Sequence, residues 1–342
     1  MNQRLHELDA LRGIAAMMVV LFHYTTRYND LYYHLYLFPF EIFRYGFFGV
    51  QLFFIISGFV IFMTLARTKL PMDFVVSRFS RLYPAYWAAI ALTFTVVSVF
   101  SLPGREKDIS TALINLTMLQ KWMGVEDVDP VYWTLALELS FYAIMFVLHI
   151  TRLIKKIDLI CFAWLALIAV AHTLEQQLEM GIPAVIKISL LLSHGHFFIA
   201  GIFFYKLKSS KENKYLFYLI PCLAVEYYTS GSLVFLLAGY FLVFWAFAKD
   251  KLSILAAKPL VFLGTISYSL YLIHQNLGYV VIRWLYSLGV TSPFILIPVP
   301  IIVALCVASL MQRYVEQPSL NYIRDNWKAY KHKRYARVQL AK

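Results

Sequence analysis

Charge is what this sequence has least of. Asp, Glu, Lys and Arg make up 15% of its 342 residues, against about 25% in an average soluble domain. Acidic residues are the scarcer kind, 19 against 31 basic ones, for a net charge of +12. Cysteine is rare as well. Cys161, Cys222 and Cys306 lie in or beside apolar runs. An odd number without zinc-type spacing excludes a disulfide framework, and no metal is expected. Gly/Ser linkers, low-complexity tracts and internal repeats are lacking, so no second soluble domain is expected. What fills the chain instead is apolar: 61% hydrophobic residues and a mean hydropathy of +0.66. That balance excludes soluble globular and disordered proteins and points to an all-α, polytopic transmembrane bundle.

The N-terminus reads as a membrane helix rather than a cleaved signal. Asp9 and Arg12 interrupt it, and no small-x-small cleavage site follows. The expected spans are 11–26, 46–66, 82–102, 132–150, 157–174, 184–205, 215–229, 231–248, 260–287 and 293–312, about ten helices. Region 28–45 reads as an aromatic-rich loop. Region 103–131 reads as a second long loop, with an interfacial helix near 111–123. A pI near 9.4 would suggest nucleic acid in a soluble protein, but here the cations follow topology. With the N-terminus inside, 24 of the 31 Lys and Arg fall on inner segments. The outer ones are Arg27, Arg44, Arg105, Lys107, Lys121, Lys187 and Arg283. The asymmetry predicts both termini in the cytoplasm, a multi-pass protein of the inner (plasma) membrane, and no nucleic-acid partner. Residues 1–320 form the expected membrane domain. Residues 321–342 form a basic cytoplasmic tail, solvated or in contact with membrane lipids.

A few charged groups stand where hydropathy disfavours them, and such groups usually face a cavity or a partner. In "LDALRGIAAMMVVLFHY", Arg12 and His23 are eleven residues apart. At about 100° and 1.5 Å per residue they share one helix face roughly 16 Å apart, with Asp9 about a turn below Arg12. Glu138 enters a span in "YWTLALELSFY". Arg78 and Arg81 in "SRFSRLYP" are three apart, a spacing that suits phosphate at a membrane mouth. "ISYSLYLIH" places Ser267, Tyr268, Tyr271 and His274 on another helix. His194 and His196, two apart, would point about 200° from each other on an unbroken helix, which disfavours shared metal ligation unless the chain breaks at Gly195.

Together these segments resemble the membrane acyltransferase-3 family, whose members acylate cell-surface and secreted carbohydrates. The likeness runs over about residues 4–320, in the family's order. It comprises the Arg12-to-His23 spacing, "GFFGVQLFFIISGFVI" with Ser57, the paired Arg78 and Arg81, Trp133 with Glu138, the segment ending in His274, and "YVEQP" with Glu316. The family's sixth-helix arginine is absent; His194 and His196 stand nearby.

The resemblance implies acetyl-CoA, or another acyl-CoA, as a cytoplasmic donor held by Arg78, Arg81, Arg12 and Ser57. It implies a hydroxyl of an extracytoplasmic glycan, free or lipid-linked, as acceptor. His23 would act as base or acyl carrier, with Glu138 orienting it and Arg12 stabilising the oxyanion. Asp9, Trp133, Tyr268, Tyr271, His274 and Glu316 would support the site. Tyr28, Tyr32, Tyr33 and Tyr36 offer faces for a sugar or simple belt packing. Some relatives carry an extra esterase-like domain; without one, the chain would finish the transfer itself or hand the acyl group to a partner. A homo-oligomer is compatible with the sequence. Two other readings fit the same residues: a transporter or channel with an Arg–His–Glu relay, and an acyltransferase acting on a lipid or small molecule.

Overall fold

The computed structural model describes residues 5–32, 40–68 and 70–340. Tyr33 and Tyr36, which figure in the sequence reading, lie outside them. Every regular element among the described residues is helical. The main helices are α1 (His6–Phe22), α2 (Gly49–Arg67), α3 (Pro71–Phe100), α4 (Trp133–Ile150), α5 (Ile157–Gln176), α6 (Gly195–Ser210), α7 (Ile220–Ser230), α8 (Val234–Ala248), α9 (Lys258–Ser287), α10 (Pro298–Met311) and α11 (Gln317–Leu340). Among the described residues, seven helical stretches are long and apolar enough to cross a membrane. Leu159, Phe235 and Leu242 are largely exposed, as side chains bathed in lipid would be.

Boundaries depart from expectation where side chains satisfy the backbone. The first helix runs through His23 without stopping. A π-helical turn, His23–Arg27, carries it into Tyr28–Tyr32. There the Thr25 hydroxyl donates to the Leu21 carbonyl at 2.6 Å, a back-bond that loosens the regular ladder. The third helix begins at Pro71, not near 82. Proline suits the first turn, and Pro84 is tolerated inside. Arg78 and Arg81 therefore sit within α3. The sixth segment is broken: a short helix, Ala184–Ser189, is followed by Leu191 at φ +53° before α6 starts at Gly195. Trp164 Nε1 caps the break by donating to the Leu190 carbonyl at 2.8 Å. Helices α7 and α8 join through Gly231 at φ +61°, where the two expected spans abut. The long loop holds a helix, Ile109–Asn115, capped by Asp108, which accepts from Thr111 N at 3.0 Å.

The basic tail is not wholly solvated. Arg324, Trp327 and Lys331, one stripe of α11, dock on the start of α3. Arg324 donates to Ser80 Oγ and Ser77 Oγ at 3.2 Å, and Trp327 Nε1 to Asp73 at 2.6 Å.

The pair that frames the interior is α1 with α9. They run parallel: Asp9 and Gly13 lie against Gly264, His23 against His274, and Tyr24 against Gly278. A Cβ on Gly13 or Gly264 would strike the opposite helix's backbone, so only glycine permits this approach. Helices α2 and α6 also run parallel and cross at Gly58 and Gly201.

Gly264→Val should force α1 and α9 apart. Overpacking of roughly 1–3 kcal/mol is expected, which thermal unfolding in detergent would read as a loss of several degrees in Tm. An unchanged Tm would contradict the close approach.

Candidate active site

Two cavities flank the α1–α9 seam. The larger, about 750 Å³, is lined by His23, Arg27, Arg44, Gln51, Trp133, His194 and Gln275 among others. The smaller, about 60 Å³, is lined by Arg12, Ser57, Arg78, Arg81, Glu138, Tyr142, Ser267 and Tyr268 among others. Val50 and Tyr271 belong to both walls. The Tyr271 hydroxyl donates to the Val131 carbonyl at 3.2 Å and accepts from Thr134 Oγ1 at 2.9 Å. Arg12 and His23, on one face of α1, thus look into different chambers that meet at Tyr271.

His23 is held in one tautomer. Its Nδ1 lies 2.9 Å from the Val19 carbonyl and 3.0 Å from His274 Nε2. His274 Nδ1 lies 2.8 Å from the Tyr271 carbonyl and 3.2 Å from that of Leu270. Carbonyls only accept, so both Nδ1 atoms carry hydrogen. His274 Nε2 then accepts from His23 Nδ1, and His23 Nε2 keeps a lone pair on the cavity side. Tyr24 fixes the frame by donating to the His274 carbonyl at 2.7 Å. An imidazole so held can take a proton at Nε2 while its Nδ1–H stays bonded.

The expected contact between Glu138 and His23 is not made. Glu138 accepts instead from Tyr142 at 2.6 Å and Ser57 at 3.4 Å, in the smaller cavity. The reason is rotation along α4. Trp133 lines the chamber of His23, whereas Glu138, five residues on, faces Arg12. The partner of His23 is His274, which sequence reasoning placed only among supporting groups.

The smaller chamber gathers cations. Arg81 is ion-paired with Glu316, which also accepts from Ser269 at 2.7 Å. Arg78 stacks 5.6 Å from the Tyr142 ring and donates to Ser77 at 3.1 Å, while its Nε is buried without a partner. Tyr268 sits 5.5 Å beneath Arg81 and donates to the Leu82 carbonyl at 3.0 Å. Asp9 and Glu138 are close enough to act on Arg12. Opening beside this chamber, an apolar groove of about 300 Å³ shares Arg78, Leu82 and Tyr142 with it.

The larger chamber is unusually unsatisfied. Thr26 Oγ1, Gln51 Oε1, His194 Nδ1 and Gln275 Oε1 are buried without hydrogen-bond partners among the described residues, and all four residues line it. Such orphans are uncommon in folded proteins, and each one costs free energy until a ligand or water meets it. His194 and His196 diverge at the helix break. His194 packs 5.5 Å from the Trp133 ring, and His196 pairs with Glu226 at 2.6 Å in the core. Tyr28 is fully buried, 5.4 Å from the Tyr279 ring, so it is core rather than a sugar platform. Gln51, Gln275, Tyr142 and Arg324 escaped sequence reasoning. Only Arg324 left a trace, in its spacing with Trp327 and Lys331.

Asp129 ties the outer loop to α9. It accepts from Asn276 N at 3.2 Å and Val131 N at 3.3 Å. Complete burial outweighs these donors and pushes its carboxyl up to about 7. The folded state then holds a proton that the unfolded chain releases near its ordinary range of about 4. Stability is fullest below that range and declines as pH rises through about 7. Melting curves should show this fall between about pH 4, the unfolded value, and about pH 7. In Asp129→Asn the slope should vanish; a slope that persists would refute the protonated carboxyl.

Comparison with known proteins converges on the same segments. The family pattern described as an acyltransferase domain matches residues 5–313. The O-acetyltransferase OatA of Staphylococcus aureus (strain NCTC 8325 / PS 47) is 25% identical over 358 aligned positions, covering 91% of this chain and 56% of that protein. BcsY of Komagataeibacter xylinus, named as a membrane-bound transacylase, is 29% identical over 165 positions, 43% of this chain and 38% of its own length. The chain thus spans about half the length of the OatA proteins it matches. No solved structure matches. The chain belongs to the acyltransferase family defined by that domain.

Proposed function

We propose that this enzyme moves an acyl group, acetyl in the first instance, from cytoplasmic acyl-CoA to a hydroxyl of an extracytoplasmic glycan. The observation that carries this reading is the pair of chambers joined at Tyr271, with Arg12, Arg78 and Arg81 on one side and a tautomer-locked imidazole on the other. The bias of Lys and Arg supports an inner membrane orientation with the arginine chamber facing the cytoplasm.

The smaller chamber, at about 60 Å³, suits a thioester arm but not a nucleotide. The phosphates of the donor would therefore dock at its mouth on Arg78, with Arg324 beside it. Arg81 is already engaged by Glu316, so its part is to shape the mouth. The acceptor hydroxyl enters from the larger chamber. His23 Nε2 takes its proton as the oxygen attacks the thioester carbonyl, while Arg12, about three helical turns away in the smaller chamber, holds the donor arm. The carbon–oxygen bond forms and the carbon–sulfur bond breaks. The imidazolium then returns the proton to the thiolate, which leaves as the free thiol. His274 positions His23 through the Nδ1–Nε2 bond and favours the imidazolium by accepting from it.

Label transfer from acetyl-CoA to glycan in membranes tests the assignment. His23→Ala, still inserted, should lose roughly 10²–10⁴-fold in rate; near-normal transfer would end it. Arg78→Ala should raise the KM for acyl-CoA well above any change for the acceptor. Equal effects on both would indicate a purely structural arginine.

A further inference from the structure

We propose that the acceptor carries an oxyanion, a carboxylate or phosphate, close to the hydroxyl that is acylated, and that Arg27 and Arg44 bind it. This rests on the larger chamber being the acceptor site, as proposed above.

The outer cations divide sharply. Lys107, Lys121 and Lys187 are each ion-paired, with Glu126, Asp127 and Glu175 respectively. Arg27, Arg44, Arg105 and Arg283 have no carboxylate partner at ion-pair distance among the described residues, and Asp30 and Glu41, three residues from Arg27 and Arg44, stand exposed without joining them. Three of these arginines stack on rings instead. Arg44 lies 5.6 Å from Tyr45, Arg105 6.0 Å from Tyr279 and Arg283 5.0 Å from Tyr32. Rings orient a guanidinium without cancelling its charge, so its planar fork stays open to an oxyanion.

Two of the four, Arg27 and Arg44, line the chamber itself. Arg27 lies a single turn beyond His23 on the same helix. The wall between them carries the orphaned polar atoms of Thr26, Gln51, His194 and Gln275. Gln275 is 2% exposed, and its Oε1 can only accept. Hydroxyls of a sugar supply the donors that it lacks. The ligand described by these groups is a polyol with an acidic substituent.

Chemistry at His23 points the same way. The imidazole must become an imidazolium one helical turn from Arg27, in the chamber that Arg44 also lines, and like charges oppose that step. A neutral acceptor leaves the opposition in place. An acceptor oxyanion seated on Arg27 and Arg44 removes it when the base is needed. A carboxylate and a phosphate satisfy the same guanidinium fork, and the assay below separates them.

The full chain in liposomes, supplied with labelled acetyl-CoA, should be offered three matched disaccharides: a glucoside, the corresponding glucuronide and a hexose phosphate derivative. Expected is a kcat/KM for one or both acidic acceptors roughly tenfold to a hundredfold above the glucoside. The stronger of the two acids identifies the source of the oxyanion. In the Arg27→Gln, Arg44→Gln double variant that ratio should fall towards one. Wild-type protein that uses glucoside and acids equally overturns the proposal, as does a double variant that lowers all three acceptors by the same factor. Because the preference is first read in the wild type, a variant that fails to fold leaves the test intact. Transfer to none of the three removes the acceptor reading itself, an outcome distinct from charge-blind transfer.

Discussion

The parallel contact between α1 and α9 is the constraint on which the interior depends. Gly13 and Gly264 let two backbones meet, and Tyr24 fills the space that Gly278 leaves. In lipid there is little hydrophobic force to drive helices together, so close packing and internal hydrogen bonds must hold them. This seam uses both. Its approach sets His23 3.0 Å from His274. It also orients the polar face of α1, so that Arg12 looks into one chamber and His23 into the other. Widening the seam by a single methyl group would disturb the tautomer chain and the wall between the chambers together.

Placement of charge follows from the same economy. An ion in a low-dielectric interior needs a partner: Arg81 has Glu316, Asp127 has Lys121, and the Glu226 carboxyl is met by the His196 ring. Five of the groups left wanting line the two chambers. Arg78 Nε in one chamber, and the polar atoms of Thr26, Gln51, His194 and Gln275 in the other, are buried without protein partners among the described residues. A fold that satisfies its helix ends with Trp164, Asp108 and Asp129, yet leaves these open, keeps polar demand where a substrate can supply it.

Much of this was legible in the sequence. Apolar runs marked the helices, and the polar interruptions among them, Arg12, His23, Glu138, Arg78, Arg81 and His274, are all cavity or seam residues. Misreadings came where side chains rescued backbone. Thr25 extended the first helix through a π-turn, Pro71 started α3 a full three turns early, and Trp164 stabilised a break that hydropathy ran across. The assignment of Glu138 to His23 failed because helical phase within one span says nothing about which neighbour that face meets. The tail misled in the opposite sense, since its docking stripe is short and lies among exposed bases.

What the sequence determined by itself was the class of the molecule: a helical membrane protein resembling the acyltransferase family, with candidate residues marked by costly polar groups in apolar runs. Those facts depend on composition and local spacing, which each segment carries alone. Only the tertiary structure decided who partners whom. The His23–His274 pair spans 251 positions, and the division into two chambers requires glycine contacts between helices far apart in the chain. Pairings of that kind arise from how helix faces approach one another in space, and no periodicity within a single helix encodes them.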